Sequence, residues 1–128
     1  RVVDLLLRHG ADVNLQNSIG CTALMTATLH GHERVVDLLI RHGSEINVQD
    51  SSDDTALLLA AGQGHELVVE LLLPHCDDVN LRGRYGYTAL MGAASSRYTT
   101  QEGRERVVEL LIQHGAEINL QDSDGVTP

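Results

Sequence analysis

Short apolar runs alternate with polar turns along this chain, and they recur in one order. Ala23, Leu24 and Met25 open a run of good helix formers directly after Thr22, a residue type that caps a helix by accepting from its first free N–H groups. Gly31-His32 breaks the run. Val35, Val36, Leu38, Leu39 and Ile40 follow at helical spacing with a broad apolar face. Gly43 predicts a left-handed stop, with His42 beside it placed to donate to the last carbonyls. From Ser44 to Ser52 the chain is polar apart from Ile46 and Val48, whose alternation predicts a short extended arm. The predicted unit is therefore helix, turn, helix and extended loop.

The unit repeats. Thr-Ala-Leu begins at Thr22, Thr55 and Thr88, and Thr127-Pro128 opens a fourth start, so the steps are 33, 33 and 39 residues. Val-Val-x-Leu-Leu begins at Val2, Val35, Val68 and Val107, and a third ladder runs Asn14, Asn47, Asn80 and Asn119. Three ladders in one phase define tandem repeats. The apolar faces of one unit point two ways and cannot be buried within it. Stacking neighbours buries them, which predicts a one-dimensional solenoid.

The pattern Gly-x-Thr-Ala-Leu-Met-x-Ala, then Gly-His-x-x-Val-Val-x-Leu-Leu-Ile-x-His-Gly, then Ile-Asn resembles the ankyrin repeat. That repeat has 33 residues and the signature Thr-Pro-Leu-His-x-Ala. Here Ala usually replaces the Pro, and Met25, Leu58 and Met91 replace the His. The resemblance covers the whole chain and implies an all-α helix–turn–helix solenoid with β-hairpin-like finger loops. In phase, residues 1–16 are a partial repeat, 17–49 a first full unit, 50–82 a divergent second and 83–121 a third with six extra residues. Residues 122–128 start the next repeat, so both ends cut through a unit and the chain reads as a fragment of a longer array.

Two units depart from the pattern. In the second, Asp53 stands where Gly20, Gly86 and Gly125 stand, and Cys76 where Gly10, Gly43 and Gly115 stand. Pro74 falls in the last turn of the second helix, which predicts an early end to that helix or a strained point. In the third, aligning Gly103 with Gly31 places the insertion at Arg97–Glu102, between the two helices. It reads as a polar bulge, or as a contact specific to a partner.

Composition narrows the function. Aromatics are 2%, with no Phe or Trp, so Leu, Val, Ile and Ala must build the core. The net charge of −9 disfavours nucleic acid as the main ligand. Cys21 and Cys76 show no pairing pattern, and no signal peptide or membrane-length apolar run occurs. A soluble intracellular protein, cytoplasmic or nuclear, is expected.

Candidate chemistry is sparse. Seven histidines invite a metal, but His9, His42, His75 and His114 form one ladder, one per unit. Packed helices lie about 8–10 Å apart, too far for adjacent units to share a metal readily. No nucleophile elbow, phosphate loop or His-Glu-x-x-His is present, and Gly62-Gln63-Gly64 is an isolated Gly-x-Gly. No enzyme, cofactor, metal or small-molecule substrate is expected.

The expected role is to bind or scaffold other proteins. Alternatives are a targeting or regulatory segment of a larger enzyme, ligase adaptor or channel, and a structural spacer. The resemblance implies binding through finger tips and the concave first-helix face. The candidate contacts are Ile19 on the first tip, Ser51, Ser52 and Asp54 on the second, and Arg82, Arg84, Tyr85 and Tyr87 on the third. Tyr and Arg are the residue types most enriched in binding hot spots. The resemblance also implies possible asparagine hydroxylation at Asn14, Asn47, Asn80 and Asn119, although the fold itself calls for Asn there to tie the loop backbone.

Overall fold

The computed structural model describes residues 14–116 and residue 118. Among them are six α-helices: α1 (Ala23–Leu29), α2 (Glu33–Arg41), α3 (Ala56–Gln63), α4 (Glu66–Leu72), α5 (Ala89–Ala94) and α6 (Gln101–Gln113). The expected threonine caps form. Thr22, Thr55 and Thr88 accept from the N–H groups of Met25, Leu58 and Met91 at 3.3, 3.3 and 3.4 Å. Helix ends are equally local. Gly43 and Gly115 take φ of +88° and +93° after α2 and α6. His42 and His114 place Nδ1 at 2.8 and 2.9 Å from the carbonyls of Leu38 and Leu110. A carbonyl only accepts, so Nδ1 carries the proton in both rings.

The helices stack as two rows. In the first row α3 packs between α1 and α5, and in the second α4 packs between α2 and α6. The core between the rows is built from Leu, Val and Ala, including Leu24, Val36, Leu39, Leu57, Val68, Leu72, Leu90, Val107 and Leu111. Alanines set the spacing of the first row, with Ala60, Ala61, Ala89 and Ala93 fully or nearly fully buried. At the closest approach a Cβ on Gly92 would stand 3.6 Å from Gly62 Cα, so the backbones of α3 and α5 nearly touch.

The asparagine ladder fastens one unit to the next. Asn14 Oδ1 accepts from Glu45 N–H at 2.8 Å, and Asn47 Oδ1 accepts from Asp77 N–H at 3.3 Å. Asn80 Nδ2 donates to the Gly115 carbonyl at 3.3 Å. Where the sequence suggests a tie within one loop, each of these side chains reaches about a repeat further along the chain. Asn119 lies outside the described residues, as do His9 and Gly10.

The divergent unit differs from the expectation of strain at one of its two positions. Helix α4 has seven residues against nine in α2, and Leu73–His75 closes it as a 3-10 turn containing Pro74. Pro74 therefore sits beyond the α-helix, where its missing N–H removes no α-helical bond. Cys76 is extended (φ −82°, ψ 131°), so it needs no glycine. Asp53 does take a left-handed φ of +66°, as Gly20 and Gly86 do at +79° and +71°. Asp53→Gly is accordingly expected to raise stability by about 0.5–1 kcal/mol, the left-handed cost less the entropy that glycine adds to the unfolded chain. Cys76→Gly should lower it slightly. Urea midpoints for the two variants check this; equal shifts would contradict it.

The insertion is also divided differently. Gln101 and Glu102 join the helix, giving α6 thirteen residues, and only the chain from Ser95 to Thr100 is loop. Thr100 is the new N-cap, accepting from Gly103 N–H at 3.1 Å. A capping threonine ahead of Gln-Glu extends a helix more readily than it forms a bulge.

Candidate protein-binding surface

Each finger is a tight hairpin-like turn rather than a strand pair; no strand occurs among the described residues. Asn17, Asp50 and Gly83 donate their N–H groups to the carbonyls of Cys21, Asp54 and Tyr87 at 2.9, 2.9 and 2.8 Å. In the first two fingers the opening side chain braces the turn. Asn17 Oδ1 accepts from Ile19 and Cys21 N–H, and Asp50 Oδ1 accepts from Ser52 and Asp54 N–H.

The third finger opens on Gly83 and has no such side chain. Asp54 of the preceding finger supplies the carboxylate instead, its Oδ1 accepting from Arg84 N–H at 3.0 Å. Glycine lets the neighbouring finger close in, because a Cβ at buried Gly83 would press on Asp54 Oδ1 and stand 2.6 Å from Leu58 Cδ1, and both side chains would have to move. Arg84 Nη2 then donates to Ser52 Oγ at 2.7 Å, and Arg82 Nη1 donates to the Gly86 carbonyl at 2.8 Å. In these two bonds the guanidinium groups meet a hydroxyl and a carbonyl oxygen.

This brings Ser52, Asp54 and Arg84 together, with Tyr85 on the same turn. Tyr85 is 71% exposed at a left-handed φ of +59°. Ile19 and Ser51 are exposed on the first two tips, joined by the Ser51 N–H bond to the Ile19 carbonyl at 3.0 Å.

In the corner between fingers and first helices lies a groove of about 220 Å³. The finger side is Asp54, Arg84, Tyr85 and Tyr87; the helix side is Leu58, Leu59, Gly62, Gln63, Thr88 and Gly92. Sequence reasoning reaches the finger residues and misses this floor. Its one signal is glycine inside two first helices, at 62 and 92, where side chains would otherwise fill the corner.

The family model for ankyrin repeats (three copies) matches residues 1–50 and 35–122. The chain belongs to the ankyrin-repeat family. Ankyrin repeats generally mediate protein–protein interaction, and ankyrin domains are typically non-catalytic. No curated protein matches the chain.

Side chains with reactive potential serve this ankyrin scaffold in structural ways. Burial pushes the Cys76 thiol up to about 11, with the Asp77 charge adding to it, and burial and then Asp50 raise Cys21. Thiols held protonated are weak nucleophiles. His65 places Nε2 at 3.1 Å from the Leu29 carbonyl, and its ring lies against Gly31. Rings of His30 and His32 stack with centroids 5.8 Å apart. No group of three potential metal ligands converges among the described residues, and no described helix is long and apolar enough to cross a membrane. Asn14, Asn47 and Asn80, the hydroxylation candidates, use their amides in the inter-unit bonds.

Proposed function

We propose that this ankyrin array is a soluble intracellular module that binds another protein at the third finger and the adjoining groove. The observation that carries the reading is the corner itself. A glycine-floored apolar groove between α3 and α5 is rimmed by Arg84, Tyr85 and Tyr87. Apolar floors with a few fixed polar groups are where binding energy concentrates. The Arg84 guanidinium is positioned by Ser52, so little side-chain freedom is lost when a partner meets it. A spacer has no use for an arginine–tyrosine rim built by borrowing a carboxylate from the neighbouring unit.

Photocrosslinking tests the location. A benzophenone side chain replaces Tyr85 in one variant and Leu67, half-exposed on the outer helix α4, in another. One and the same protein should be captured strongly from position 85 and weakly from 67. Capture from 67 alone would place binding on the outer face and overturn the proposal.

A further inference from the structure

All three aromatic residues of the chain, Tyr85, Tyr87 and Tyr98, fall in the third unit, and none of them is in the core. Charge is distributed just as unevenly. Between Arg82 and Arg106 stand five of the nine arginines against two carboxylates, Glu102 and Glu105, a local charge of +3 that leaves −12 for the remainder.

Arg84, Tyr85 and Tyr87 line the groove itself, and the insertion that carries Arg97 and Tyr98 is bonded to its wall, while Arg106 faces Glu66. The finger end carries Arg84, Tyr85 and Tyr87, with the Asp54 carboxylate beside them occupied at Oδ1 by Arg84 N–H. At the other end the insertion is fastened to the groove wall, Ser96 Oγ donating to the carbonyl of Gly62 at 2.9 Å, and Gly62 lines the groove. Ser96 is buried, and its Oγ also accepts from Tyr98 N–H at 3.4 Å. Arg104 Nε donates to the Ser96 carbonyl at 3.1 Å, bringing a further cation to that end. Thr99 packs on Gly64, so the loop is seated on the preceding unit. Tyr98 is 72% exposed, and Arg97 beside it is exposed too.

We infer that the α3–α5 groove takes a short acidic peptide segment of the partner protein, clamped by Arg84 and Tyr85 at one end and by Arg97 and Tyr98 of the insertion at the other. This rests on the protein-binding reading above and adds the chemistry of the segment. Helix α3, with eight residues, spans about 12 Å. An extended segment of roughly four residues covers that length. Carboxylates at its ends meet the arginines, and a compact apolar side chain between them meets Leu58 and the Gly62–Gly92 floor. The surrounding acidic units limit the anion to this size. A long polyanion would run beyond the roughly 8–10 Å over which charge acts in physiological salt and be repelled, which favours a peptide over a nucleic acid.

Selection from a random ten-residue peptide display library with the whole 128-residue chain tests this. Selected peptides should be rich in Asp and Glu, with binding weakened by raising NaCl from 50 to 300 mM. Arg84→Glu and Arg97→Glu should each weaken a selected synthetic peptide at least roughly tenfold. Neither variant changes a buried residue, and thermal melts confirm folding. Basic or uncharged selected peptides, or none, would overturn the inference. Loss on Arg84→Glu but not on Arg97→Glu would overturn the insertion clamp. A twenty-nucleotide thymidine strand binding more tightly than the peptides would point to nucleic acid instead. If no peptide is selected while photocrosslinking from position 85 still captures a protein, the peptide inference fails and the binding reading stands.

Discussion

Gly64→Ala is expected to lower stability by about 2–5 kcal/mol, whereas Gly43→Ala lowers it by about 1–2 kcal/mol. The two glycines share a left-handed backbone, with φ of +71° and +88°, so the backbone cost is common to both. They differ in space. A Cβ at Gly43 meets nothing within 4 Å, but one at Gly64 stands 2.5 Å from Thr99 Cβ and Cγ2. Thr99 belongs to the insertion, whose anchor at Ser96 fixes it against α3, so it has little room to retreat. The excess at Gly64 is therefore overpacking, about 1–3 kcal/mol. In a Thr99→Gly background that excess should disappear and the left-handed cost should remain. Urea unfolding of wild type, the three single variants and the Thr99→Gly/Gly64→Ala double variant measures it. Equal costs at 43 and 64 would show that the insertion is not seated on the preceding unit.

The second large effect concerns binding. Replacing Arg84, Tyr85 and Tyr87 together with Ala is expected to weaken a partner at least roughly a hundredfold, about 3 kcal/mol. Tyrosine and arginine at a groove rim bury large area for few rotatable bonds when a partner covers them, and the floor of Leu58, Gly62 and Gly92 offers that partner an apolar surface. Folding should change little. Tyr85 and Arg84 are exposed, and alanine inherits the same left-handed backbone at 85 that tyrosine already bears. The lost Arg84–Ser52 bond is at the surface, where such contacts contribute about 1 kcal/mol or less.

Local signals carried the fold. A threonine ahead of Ala-Leu and a glycine after His42 or His114 each determine a conformation within one turn, so the helices and their stops are legible without neighbours. The same holds for Asp53, where the glycines at equivalent positions announce a left-handed residue. Cys76 misleads for the opposite reason. Its place in the ladder matches glycine, but Pro74 shortens α4 upstream and the chain reaches Cys76 already extended. Arg97–Glu102 is legible as an insertion, but aligning the glycines passes over the Thr100 cap that carries Gln101 and Glu102 into α6. The groove was least legible of all. It depends on Gly62 and Gly92 meeting across α3 and α5 and on Ser96 reaching the Gly62 carbonyl, contacts between residues about thirty apart.

The most direct test of the binding account is a calorimetric titration of the protein captured from position 85. Wild type, the Arg84/Tyr85/Tyr87 triple alanine and Leu67→Ala would be compared in the same buffer. The corner groove predicts that the triple variant loses at least roughly a hundredfold in affinity while Leu67→Ala binds as wild type does. Unchanged affinity in the triple variant, with its melting temperature preserved, would contradict it.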